Sequence, residues 1–580
     1  MTTTIETDVL VVGAGPCGLT MSALLARRNI AAVTVTQYPG TAHTPRAHIT
    51  NQRAMEVFRD LGIEDEVRAQ SIPSELMGQN VWATGFAGTE LARAHAWGSG
   101  ERRAADYACA SPTSMCNIGQ HTLEPILLKR ACELGADIRF NTQLIEISQD
   151  EDGVDALVRD RVTGEETRIR AKYAVGADGG RSTVAEQIGF EFDGETGLGS
   201  AVNVWLEADL TQYRAERPGA LFFVIQPGRD FWLGSGTFIT VEPWREWVLI
   251  VMYDPAVEEI DKSEEAMKER ARKIIGDDDV EITIKNISEW QMNHVVAREY
   301  RKGRVFIAGD AAHRHPPANG LGSNTSVQDA SNLAWKLALV VSGQAGDGLL
   351  DSYSQERRPV GKQVVDRAMK SVAQLGELTQ AMGIEAGQDA EAGDAALAEL
   401  FGDTPEGSAK RDRVHEVLQG ADYQFNAHGV ELGQRYRSCA VIGDEPFPAY
   451  DRDPELYYHP TSTPGAVLPH AWLETPDGPV STLDLVRNGD FAVITGIGGE
   501  SWAEAARRLS AELGVTITPS IVGARQGYDD PFGEWRASCE IADDGVLLVR
   551  PDRHVAWRAA SLSESPLADL RAAVTTLLDR

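Results

Sequence analysis

The chain has 580 residues, a length that allows about three folding units with deep apolar cores. Its formal net charge of −31 at pH 7 argues against nucleic acid or anionic membranes as partners and indicates a solvated acidic surface. The six cysteines form no CxxC pair, and no signal peptide or membrane-spanning apolar run is recognisable, so the sequence predicts a cytoplasmic protein without a disulfide framework or a zinc site.

The first predicted elements form a βαβ unit around a glycine-rich turn. Residues 8–12 are predicted to form a short apolar strand, and residues 32–35 a second one after an apolar helix. Gly13, Gly15 and Gly18 lie between the first strand and the helix in the pattern GxGxxG. Glycines at these positions permit a tight turn, the approach of a pyrophosphate and close helix packing. The unit therefore predicts a dinucleotide-binding site.

The end of the second strand lacks the acidic residue that dinucleotide-binding units commonly use to bind a ribose. Thr36 and Gln37 stand there instead. A hydroxyl or an amide can bond a ribose hydroxyl, but more weakly than a carboxylate does. The sequence leaves open which group replaces the acid.

The middle of the chain is rich in predicted strands. The pattern of residues 76–114 is irregular. It predicts a strand and a loop that belong to a substrate domain and lie over the site. A meander of short strands is predicted at residues 138–140, 144–148, 155–159 and 167–170, before a strand at 173–176. An antiparallel sheet that forms a pocket wall is predicted from residues 202–206, 220–226, 231–239 and 246–253. The aromatic residues of this sheet alternate as in a sheet core, and they are Phe222, Phe223, Trp232, Phe238, Trp247 and Tyr253.

A second glycine-rich stretch lies at residues 304–337. A buried strand at residues 305–308 ends at Asp310, which places a carboxylate at the sheet edge where α/β folds bind ligands. The stiff loop that follows contains Pro316, Pro317, Gly320 and Gly322. A helix is predicted from about Ser323, so its free N–H groups would face a ligand at the loop. Loops of this kind also occur as plain connections.

The C-terminal part is predicted to be a separate unit. After a helical pattern to about residue 382, residues 383–410 are rich in Ala, Gly and acidic residues and predict an exposed connection. From about residue 440 a small α/β unit is predicted. Its strands are expected at residues 491–495 and 546–549, and its helices at 501–513 and 566–578.

Three longer motifs carry a resemblance to a known family. They are TPRAHITNQRAMEV at residues 44–57, GDAAHRHPPANGLGSNTSVQDA at 309–330 and DDGVLLVRPDRHVAWR at 543–558. Together with the glycine-rich turn and the segment GADG at 176–179, they resemble the class A flavoprotein monooxygenases, the single-component aromatic hydroxylases. Within that family the chain is most similar to the phenol and chlorophenol 2-monooxygenase branch. The resemblance extends from about residue 5 to the C-terminus.

The resemblance implies an α/β fold with a Rossmann-type FAD-binding domain of the aromatic hydroxylase fold, a β-rich substrate domain and a C-terminal thioredoxin-like domain. The expected FAD-binding segments are residues 1–75, 115–190 and 285–370, and the substrate-domain segments are 76–114 and 191–284. Connecting helices and a linker are expected at 371–440, and the thioredoxin-like domain at 441–580. Without a CxxC pair, that last domain is expected to be structural or dimer-forming.

The resemblance also implies a set of FAD-binding residues. They are Gly13, Gly15, Gly18, Arg46, Gln120, Asp178, Asp310, Pro317, Gly320, Gly322, Ser323 and Asn324. Arg46 resembles the family arginine near the pyrophosphate and the mobile flavin ring, and Asp310 resembles the carboxylate that binds the ribityl hydroxyls. The plain alternatives are a surface arginine that caps a helix and, for Gln120, an exposed amide at a helix start.

His48 and Arg46 are the catalytic residues that the resemblance implies. His48 lies where related phenol hydroxylases carry an acidic residue close to the substrate hydroxyl. A phenol has a pKa of about 10, and a base that titrates near neutrality can help to deprotonate it. The alternative is a loop histidine bonded only to backbone. His313 and His315 lack accompanying ligands at metal spacing, so no metal is expected.

The expected activity is FAD-dependent hydroxylation of a phenol-like ring, ortho to an existing hydroxyl, through a C4a-hydroperoxyflavin. NADPH or NADH and O2 are the expected co-substrates, and the nicotinamide nucleotide is expected to bind transiently because no second GxGxxG unit follows. The expected substrate is a phenol, a chlorophenol or a hydroxylated heteroaromatic such as a hydroxypyridine. A homo-oligomer, either a dimer or a tetramer, is also expected.

Two other readings remain at this point. One is a flavin-dependent halogenase, although Trp244 and Trp247 are not followed by the Ile-Pro of the WxWxIP segment. The other is a flavoprotein without catalytic activity. NAD(P)H consumption that an aromatic substrate triggers would separate an enzyme from such a scaffold.

Overall fold

The computed structural model describes residues 3–213, 217, 219–228, 234–257, 259–420, 422–487 and 489–580. The first part of the strand predicted at 231–239, with Trp232, lies outside these residues. The strands in chain order are β1 (Thr3–Val12), β2 (Ala32–Val35), β3 (Ile49–Thr50), β4 (Gln79–Ala83), β5 (Glu90–His95), β6 (Cys116–Asn117), β7 (Asp137–Arg139), β8 (Thr142–Gln149), β9 (Val154–Asp160), β10 (Glu166–Gly176), β11 (Phe192–Glu207), β12 (Leu221–Val224), β13 (Gly236–Glu242), β14 (Glu246–Tyr253), β15 (Thr283–Ala297), β16 (Arg301–Lys302), β17 (Val305–Ile307), β18 (His313–Arg314), β19 (Trp472–Thr475), β20 (Gly478–Ser481), β21 (Phe491–Gly496), β22 (Ile517–Val522), β23 (Val546–Val549) and β24 (Val555–Ala559).

The α-helices in chain order are α1 (Pro16–Arg27), α2 (Gln52–Asp60), α3 (Glu64–Ala69), α4 (Ala104–Ala110), α5 (Gln120–Glu133), α6 (Thr183–Ile188), α7 (Glu264–Ile275), α8 (Leu321–Val341), α9 (Asp351–Met382), α10 (Ala390–Leu400), α11 (Pro405–Gly420), α12 (Asp422–Phe425), α13 (His428–Leu432), α14 (Glu500–Leu513), α15 (Glu534–Ser538) and α16 (Pro566–Leu577). None of these helices is long and apolar enough to cross a membrane, within the residues described.

The first sheet forms the centre of the nucleotide-binding part. Its strand order is β16-β17-β10-β1-β2-β7, with β8 and β9 attached to β10. Strands β17, β10, β1, β2 and β7 run parallel, so their carboxyl ends share one edge. Apolar residues of α1 and α8 complete the core beside this sheet. The turns after β1 and β17 therefore lie at one edge of the sheet, the edge at which the sequence predicted the carboxylate of Asp310. The strands predicted at 167–170 and 173–176 are one strand, β10, because its whole length pairs with β1.

The second sheet has the order β18-β15-β11-β14-β13-β12-β4-β5. One face of this sheet packs against α7 in an apolar core. Phe222, Phe238 and Trp247 lie in this core, which confirms the core role predicted for them. The middle of the opposite face is only half-buried, and its residues are Asn203, Leu221, Thr237, Ile239, Ile250 and Met252. Within the segment predicted as irregular at 76–114, β4 and β5 are the last two strands of this sheet, and β5 forms its edge.

The domain boundaries predicted from the sequence remain a proposal, with one correction. Strand β15 pairs with β11 along almost its whole length and so belongs to the second sheet. The predicted start of the last FAD-binding segment, residue 285, therefore lies inside a strand of the substrate domain. Ala297, the last residue of β15, is the better boundary.

The connection predicted at residues 383–410 is mostly exposed, as expected, but it is not an open chain. Helices α10 and α11 cover most of it and pack against α9. Leu397 and Leu400 of α10, and Val414 of α11, enter an apolar cluster that also contains aromatic residues of the second sheet. Tertiary burial of a few leucines thus gives helices to a segment whose composition suggested an open chain.

The C-terminal domain contains a four-stranded sheet of order β22-β21-β23-β24. Strands β21 and β22 are parallel, and β23 is antiparallel to both β21 and β24. Together with α14, α15 and α16 the connectivity is β-α-β-α-β-β-α, which is compatible with the thioredoxin-like domain that the resemblance implies. The four elements predicted for this unit are present, with ends that differ by at most one residue.

A buried ionic network joins this domain to α8 and α9. Both Nη atoms of Arg550 bond the Glu356 carboxylate, at 2.5 and 2.8 Å, and Arg550 also bonds Asp552. Lys336 lies 2.7 Å from Glu356, and Asn332 bonds both Glu356 and Asp552. Burial alone would raise the pKa of Glu356, but the Arg550 and Lys336 charges hold it far below its usual value. The motif at 543–558 therefore contains residues that attach the C-terminal domain to the rest of the chain.

Candidate active site

The turn after β1 leaves space for a dinucleotide phosphate. Gly13 has a left-handed backbone (φ 109°), and a Cβ there would lie 2.1 Å from the Ala177 carbonyl oxygen. A Cβ on Gly18 would lie 1.9 Å from the Gly13 oxygen, so α1 can pack against this turn only without a side chain there. At Gly15 the nearest atom to an added Cβ is Glu124 Oε1, at 3.8 Å. Two glycines are thus required by the protein itself, while Gly15 borders open space.

Helix α1 offers free backbone donors at this turn. It begins at Pro16 with no side-chain cap and no acidic residue in its first turn. Its uncapped N–H groups and the positive end of its dipole attract a phosphate. Thr36, at the end of β2, is buried, whereas Gln37 is exposed. This strand end provides a hydroxyl and an amide for a ribose, and no carboxylate.

Arg46, Gln120 and Glu124 lie near the same cleft. The Gln120 amide donates to Glu124 Oε1 at 2.6 Å, and the Ala42 N–H donates to Oε2 at 2.5 Å. Burial raises the pKa of Glu124. The exposed Arg46 is close enough to act electrostatically on both Glu124 and Asp310. The predicted residues Arg46, Gln120 and Asp310 therefore come together, although the Gln120 amide already bonds Glu124.

Asp310 lies in the turn after β17 and is accessible to solvent. Burial nevertheless raises its pKa, while His313, Arg314 and Arg46 lower it. A side chain that water reaches but that much protein surrounds lies at the wall of a cleft. Within the described part of the chain, its carboxylate accepts no hydrogen bond from another side chain, which leaves it free to accept bonds from a ligand's hydroxyl groups.

Asp329 of α8 holds this turn in place. Its Oδ2 accepts the Gly309 N–H at 2.9 Å and lies 2.9 Å from His313 Nε2, and its Oδ1 accepts Arg357 Nε–H at 2.7 Å. Burial alone would raise the pKa of Asp329, but Arg357 and His313 hold it below its usual value. Sequence reasoning missed Asp329. The available signal was that Asp329 is the single acidic residue of this helix and lies beside its apolar positions Val327 and Ala330.

The loop before α8 and its first turn contain the predicted flavin-ring residues. The helix begins directly after Gly320 (φ 68°) with no side-chain cap. Pro317 is exposed, and Gly322 and Ser323 are half-buried. A Cβ on Gly320 would lie 2.8 Å from Ile49 Cβ, so the loop contacts β3 directly. This turn therefore presents free N–H donors and a positive dipole next to β3.

Asn324 uses its side chain to join α8 to β3. Its Oδ1 accepts the Asn51 N–H at 2.9 Å, and its Nδ2 donates to the carbonyls of Ile49 at 2.8 Å and Gly320 at 2.6 Å. Both amide donors are thus occupied by protein. The predicted FAD contact of Asn324 stays a prediction and does not involve these donors. The bonds instead fix His48, which directly precedes β3, relative to the loop.

Asp178 lies after β10, beside the turn that contains Gly13. Its Oδ1 accepts the Ser182 hydroxyl at 2.5 Å, and its Oδ2 accepts the Val184 N–H at 3.2 Å. Burial raises the pKa of Asp178. The carboxylate therefore caps α6, and a contact with FAD stays a prediction.

His48 is held by Asn117 across the short β3–β6 ladder. Its Nδ1 lies 3.1 Å from Asn117 Oδ1. Burial lowers the pKa of His48 to about 4, while the bond to Asn117 acts in the opposite direction. The imidazole is therefore neutral at pH 7. With the Asn117 oxygen assigned to face Nδ1, that nitrogen carries the proton and Nε2 keeps a lone pair. Sequence reasoning missed Asn117, because only strand pairing brings it beside His48.

Aromatic side chains bound the space beside His48. Trp97 lies edge-on to the imidazole, with ring centroids 6.4 Å apart. Phe425 lies 5.9 Å from Trp97 and 6.1 Å from Phe223, which belongs to the half-buried face of the second sheet. An apolar wall with one imidazole suits an aromatic ring that carries a hydroxyl group. No group of three His, Cys, Asp or Glu side chains in the described ranges is placed to hold a metal ion.

The arrangement fits an extended dinucleotide such as FAD. Its pyrophosphate would lie at the open turn of Gly15, its ribityl hydroxyls at Asp310, and its ring at the uncapped start of α8, beside β3. The donor set matches this order because free N–H groups meet the anionic parts and a free carboxylate meets the hydroxyl groups.

Comparison with known proteins assigns most of the chain to one enzyme family. A model of the FAD binding domain matches residues 6–368, and a model of the C-terminal part of aromatic-ring hydroxylases matches residues 461–580. The chain is 46% identical over 583 residues to 2,4-dichlorophenol 6-monooxygenase of Cupriavidus pinatubonensis, which covers 100% of this chain and 98% of that protein. It is 41% identical over 572 residues to phenol 2-monooxygenase of Pseudomonas sp. strain EST1001, which covers 97% and 92%.

A solved structure gives the same result. The flavin-dependent monooxygenase PieE, in complex with FAD and substrate, matches with a TM-score of 0.95 and 44% identity over 99% of both chains. These similarities confirm the predicted fold, the FAD cofactor and the hydroxylase activity. The chain belongs to the FAD-dependent aromatic-ring hydroxylases and is a flavoprotein monooxygenase.

Proposed function

We propose that the chain hydroxylates a phenol-like ring ortho to an existing hydroxyl, with NAD(P)H and O2 as co-substrates. The observation that carries the proposal is the neutral imidazole of His48, held by Asn117 next to an aromatic-lined space and to the loop before α8. Relatives named 2,4-dichlorophenol 6-monooxygenase and phenol 2-monooxygenase support a substrate with a phenolic hydroxyl.

The residues of the chain would bind the cofactor along one cleft. Bound FAD supplies the transfer of electrons from NAD(P)H and of oxygen to the ring. The proposed FAD-binding residues are Gly13, Gly15, Gly18, Arg46, Gln120, Asp178, Asp310, Pro317, Gly320, Gly322, Ser323 and Asn324. Of these, Gln120, Asp178 and Asn324 would act mainly by positioning their neighbours, because their side chains bond protein groups.

His48 would orient the substrate and receive its proton. Nε2 accepts a hydrogen bond from the ring hydroxyl, which fixes the ortho carbon relative to the flavin loop. A phenol with a pKa of about 10 does not give its proton fully to an imidazole whose pKa is about 4. The hydroxyl becomes acidic as the ortho carbon forms its new C–O bond, since positive charge then develops on the phenolic oxygen. Transfer to His48 at that stage is general-base catalysis.

The test of this role compares His48→Phe with His48→Gln, which keeps a hydrogen-bonding group but no base. We expect His48→Phe to lower the hydroxylation rate by about 10²-fold near pH 7, the low end of general-base effects. The difference should shrink as the pH approaches about 10, where the substrate ionises by itself. Reduction of bound FAD by NAD(P)H should remain. Equal rate–pH profiles for the wild type and His48→Phe would remove His48 as the base.

The remaining parts of the proposal concern partners and location. The nicotinamide nucleotide would bind transiently, and an apolar site would keep water from the reacting ring. A homo-oligomer, dimer or tetramer, is part of the proposal, and light scattering after size-exclusion chromatography tests it. Because NAD(P)H is regenerated inside the cell, we also propose a cytoplasmic location.

The substrate class is tested by screening phenols, chlorophenols and hydroxypyridines for stimulated NAD(P)H oxidation, followed by product mass. A gain of one oxygen atom with matching O2 uptake supports hydroxylation. A halogenated product in the presence of chloride would support the halogenase alternative. NAD(P)H oxidation that no aromatic compound stimulates would refute the proposed function.

A further inference from the structure

Asn80, in β4, is a buried amide without a partner among the described residues. Its exposed fraction is 0%, and neither Oδ1 nor Nδ2 has a hydrogen bond within that part of the chain. A buried amide that has lost water and gained no partner destabilises the folded state. Such groups are rare in proteins, and a bound ligand or an ordered water usually accounts for them. Asn80 therefore points to a molecule that completes its bonds.

The strand register places Asn80 on the half-buried face of the second sheet. It lies opposite Leu221 of β12, and Trp82, two residues along β4, shares its face. Trp82 stacks on Phe223 at 5.1 Å and lies 5.9 Å from Phe425. The Asn80 amide therefore lies on the same face of the sheet as Trp82 and Phe223, whose aromatic cluster extends to the imidazole of His48.

Trp97 supplies a second unpaired donor in this cluster. The residue is 8% exposed, and its indole Nε1 is buried with no partner in the described part of the chain. Two tryptophans of the second sheet differ, since Trp247 Nε1–H donates to the Ala208 carbonyl at 3.1 Å and Trp290 Nε1–H to Asn203 Oδ1 at 2.8 Å. Trp97 also differs in its position, because it lies beside the imidazole of His48, which faces the proposed substrate.

We propose that Asn80 and Trp97 form a second polar anchor in the ring pocket. It would bind a carbonyl oxygen, or a similar acceptor, carried by a phenol whose hydroxyl lies at His48. A carbonyl oxygen has two lone pairs, which suits one N–H from the amide and one from the indole. A chlorine atom or an alkyl group would leave both donors unpaired. The inference rests on the proposed function and specifies its substrate further.

The experiment measures equilibrium binding to the FAD-loaded protein by the change in flavin absorbance. The ligands are two pairs of equal shape, the 3- and 4-hydroxyacetophenones and the 3- and 4-isopropenylphenols, which differ only in the acceptor oxygen. We expect the wild type to bind one acetyl isomer at least about 10-fold more tightly than its isopropenyl partner, as one well-made buried hydrogen bond allows. Asn80→Leu and Trp97→Phe should each bring this ratio close to one without weakening the isopropenyl compound.

Trp247→Phe is the matched control, because it removes an indole N–H that is already paired and lies on the opposite face of the sheet. It should leave the ratio unchanged. A second readout is the melting temperature of the protein without substrate. Asn80→Leu should raise it, since the substitution removes unpaired polar atoms and keeps the volume.

Three results would overturn the inference. They are equal binding of both members of each pair by the wild type, a ratio that persists in Asn80→Leu and Trp97→Phe, and a lower melting temperature for Asn80→Leu. If any of these occurs while simple phenols still stimulate NAD(P)H oxidation, the second anchor is wrong and the proposed function stands. Failure of every phenol to bind or to stimulate oxidation would reject both.

Discussion

Replacement of Asp329 by Asn tests how a buried charge holds the FAD-binding turn. The substitution changes one oxygen to an NH2 group and keeps the shape of the side chain. It removes the only negative partner that Arg357 has among its described hydrogen bonds, the others being Gln434, Tyr436 and the Thr325 carbonyl. The new NH2 group is itself a hydrogen-bond donor, and it would face donors whose hydrogen bonds the carboxylate oxygen had accepted.

The expected magnitude follows from the burial of the pair. Asp329 and Arg357 are both 0% exposed, and Arg357 Nε lies 2.7 Å from Asp329 Oδ1. Breaking such a pair costs about 3–5 kcal/mol, because the remaining charge is left without compensation. A loss of about 3 kcal/mol confined to the turn of Gly309 and Asp310 would raise the dissociation constant of FAD by roughly 10²-fold, since about 1.4 kcal/mol corresponds to a factor of ten.

The assay is titration of the apoprotein with FAD, together with its melting temperature. Asp310→Asn is the matched control, since it makes the same chemical change on a carboxylate that lies in the turn itself and that solvent reaches. We expect Asp310→Asn to weaken FAD binding and leave the melting temperature of the apoprotein unchanged, whereas Asp329→Asn should reduce both. If Asp329→Asn binds FAD within threefold of the wild type and melts with it, the turn does not depend on this charge.

Three further predictions follow from the contacts of single residues. Gly15→Ala should leave the melting temperature of the apoprotein unchanged, because the nearest atom to the added Cβ, Glu124 Oε1, lies at an ordinary contact distance of 3.8 Å, and it should weaken FAD binding; an unaffected FAD titration would contradict the assigned phosphate position. Glu356→Gln should lower the melting temperature of the C-terminal domain by several degrees, as one negative charge is removed beside Arg550, and partial proteolysis should then release that domain. Burial lowers the pKa of His428 to about 3 and of His554 to about 4, below the unfolded value of about 6.5. The unfolded chain therefore binds more protons below pH 6.5, so the melting temperature should fall steadily from pH 6.5 toward pH 4, and a flat profile would count against these burials.

Elements with a strong local signal were predictable from the sequence. The strands at 32–35, 246–253 and 546–549 were predicted to the residue, because short apolar runs are bounded there by loop and turn residues. The helices of residues 390–420 could not be placed in the same way and were expected only as connecting helices somewhere within 371–440, since their sequence is polar and rich in small residues. Only contacts with α9 and with the aromatic cluster explain why Leu397 and Leu400 are buried.

The residues of the candidate site also fall into those that the sequence predicts and those that it does not. Gly13 and Gly18 were predictable, because their local backbone and packing exclude a side chain. Asn117 and Asp329 were not, since strand pairing and helix docking bring them to His48 and to the turn of Asp310. Asp329 lies within the motif at 309–330, but the motif does not show that this carboxylate acts through Gly309 and Arg357, a role that becomes visible only in the folded chain.

The C-terminal domain has a physical link to the flavin site, even though it contributes none of the proposed FAD-binding residues. Helix α8 begins at the flavin loop and, two turns later, provides Asp329 to hold the Asp310 turn. Further along, Asn332 and Lys336 of the same helix enter the network with Glu356 and Arg550. Because one rigid helix carries both sets of contacts, undocking of the C-terminal domain would release the far end of the element that positions the loop. We therefore expect Glu356→Gln to weaken FAD binding as well as domain docking, and wild-type FAD affinity in a variant with a released domain would show that α8 holds its position without this support.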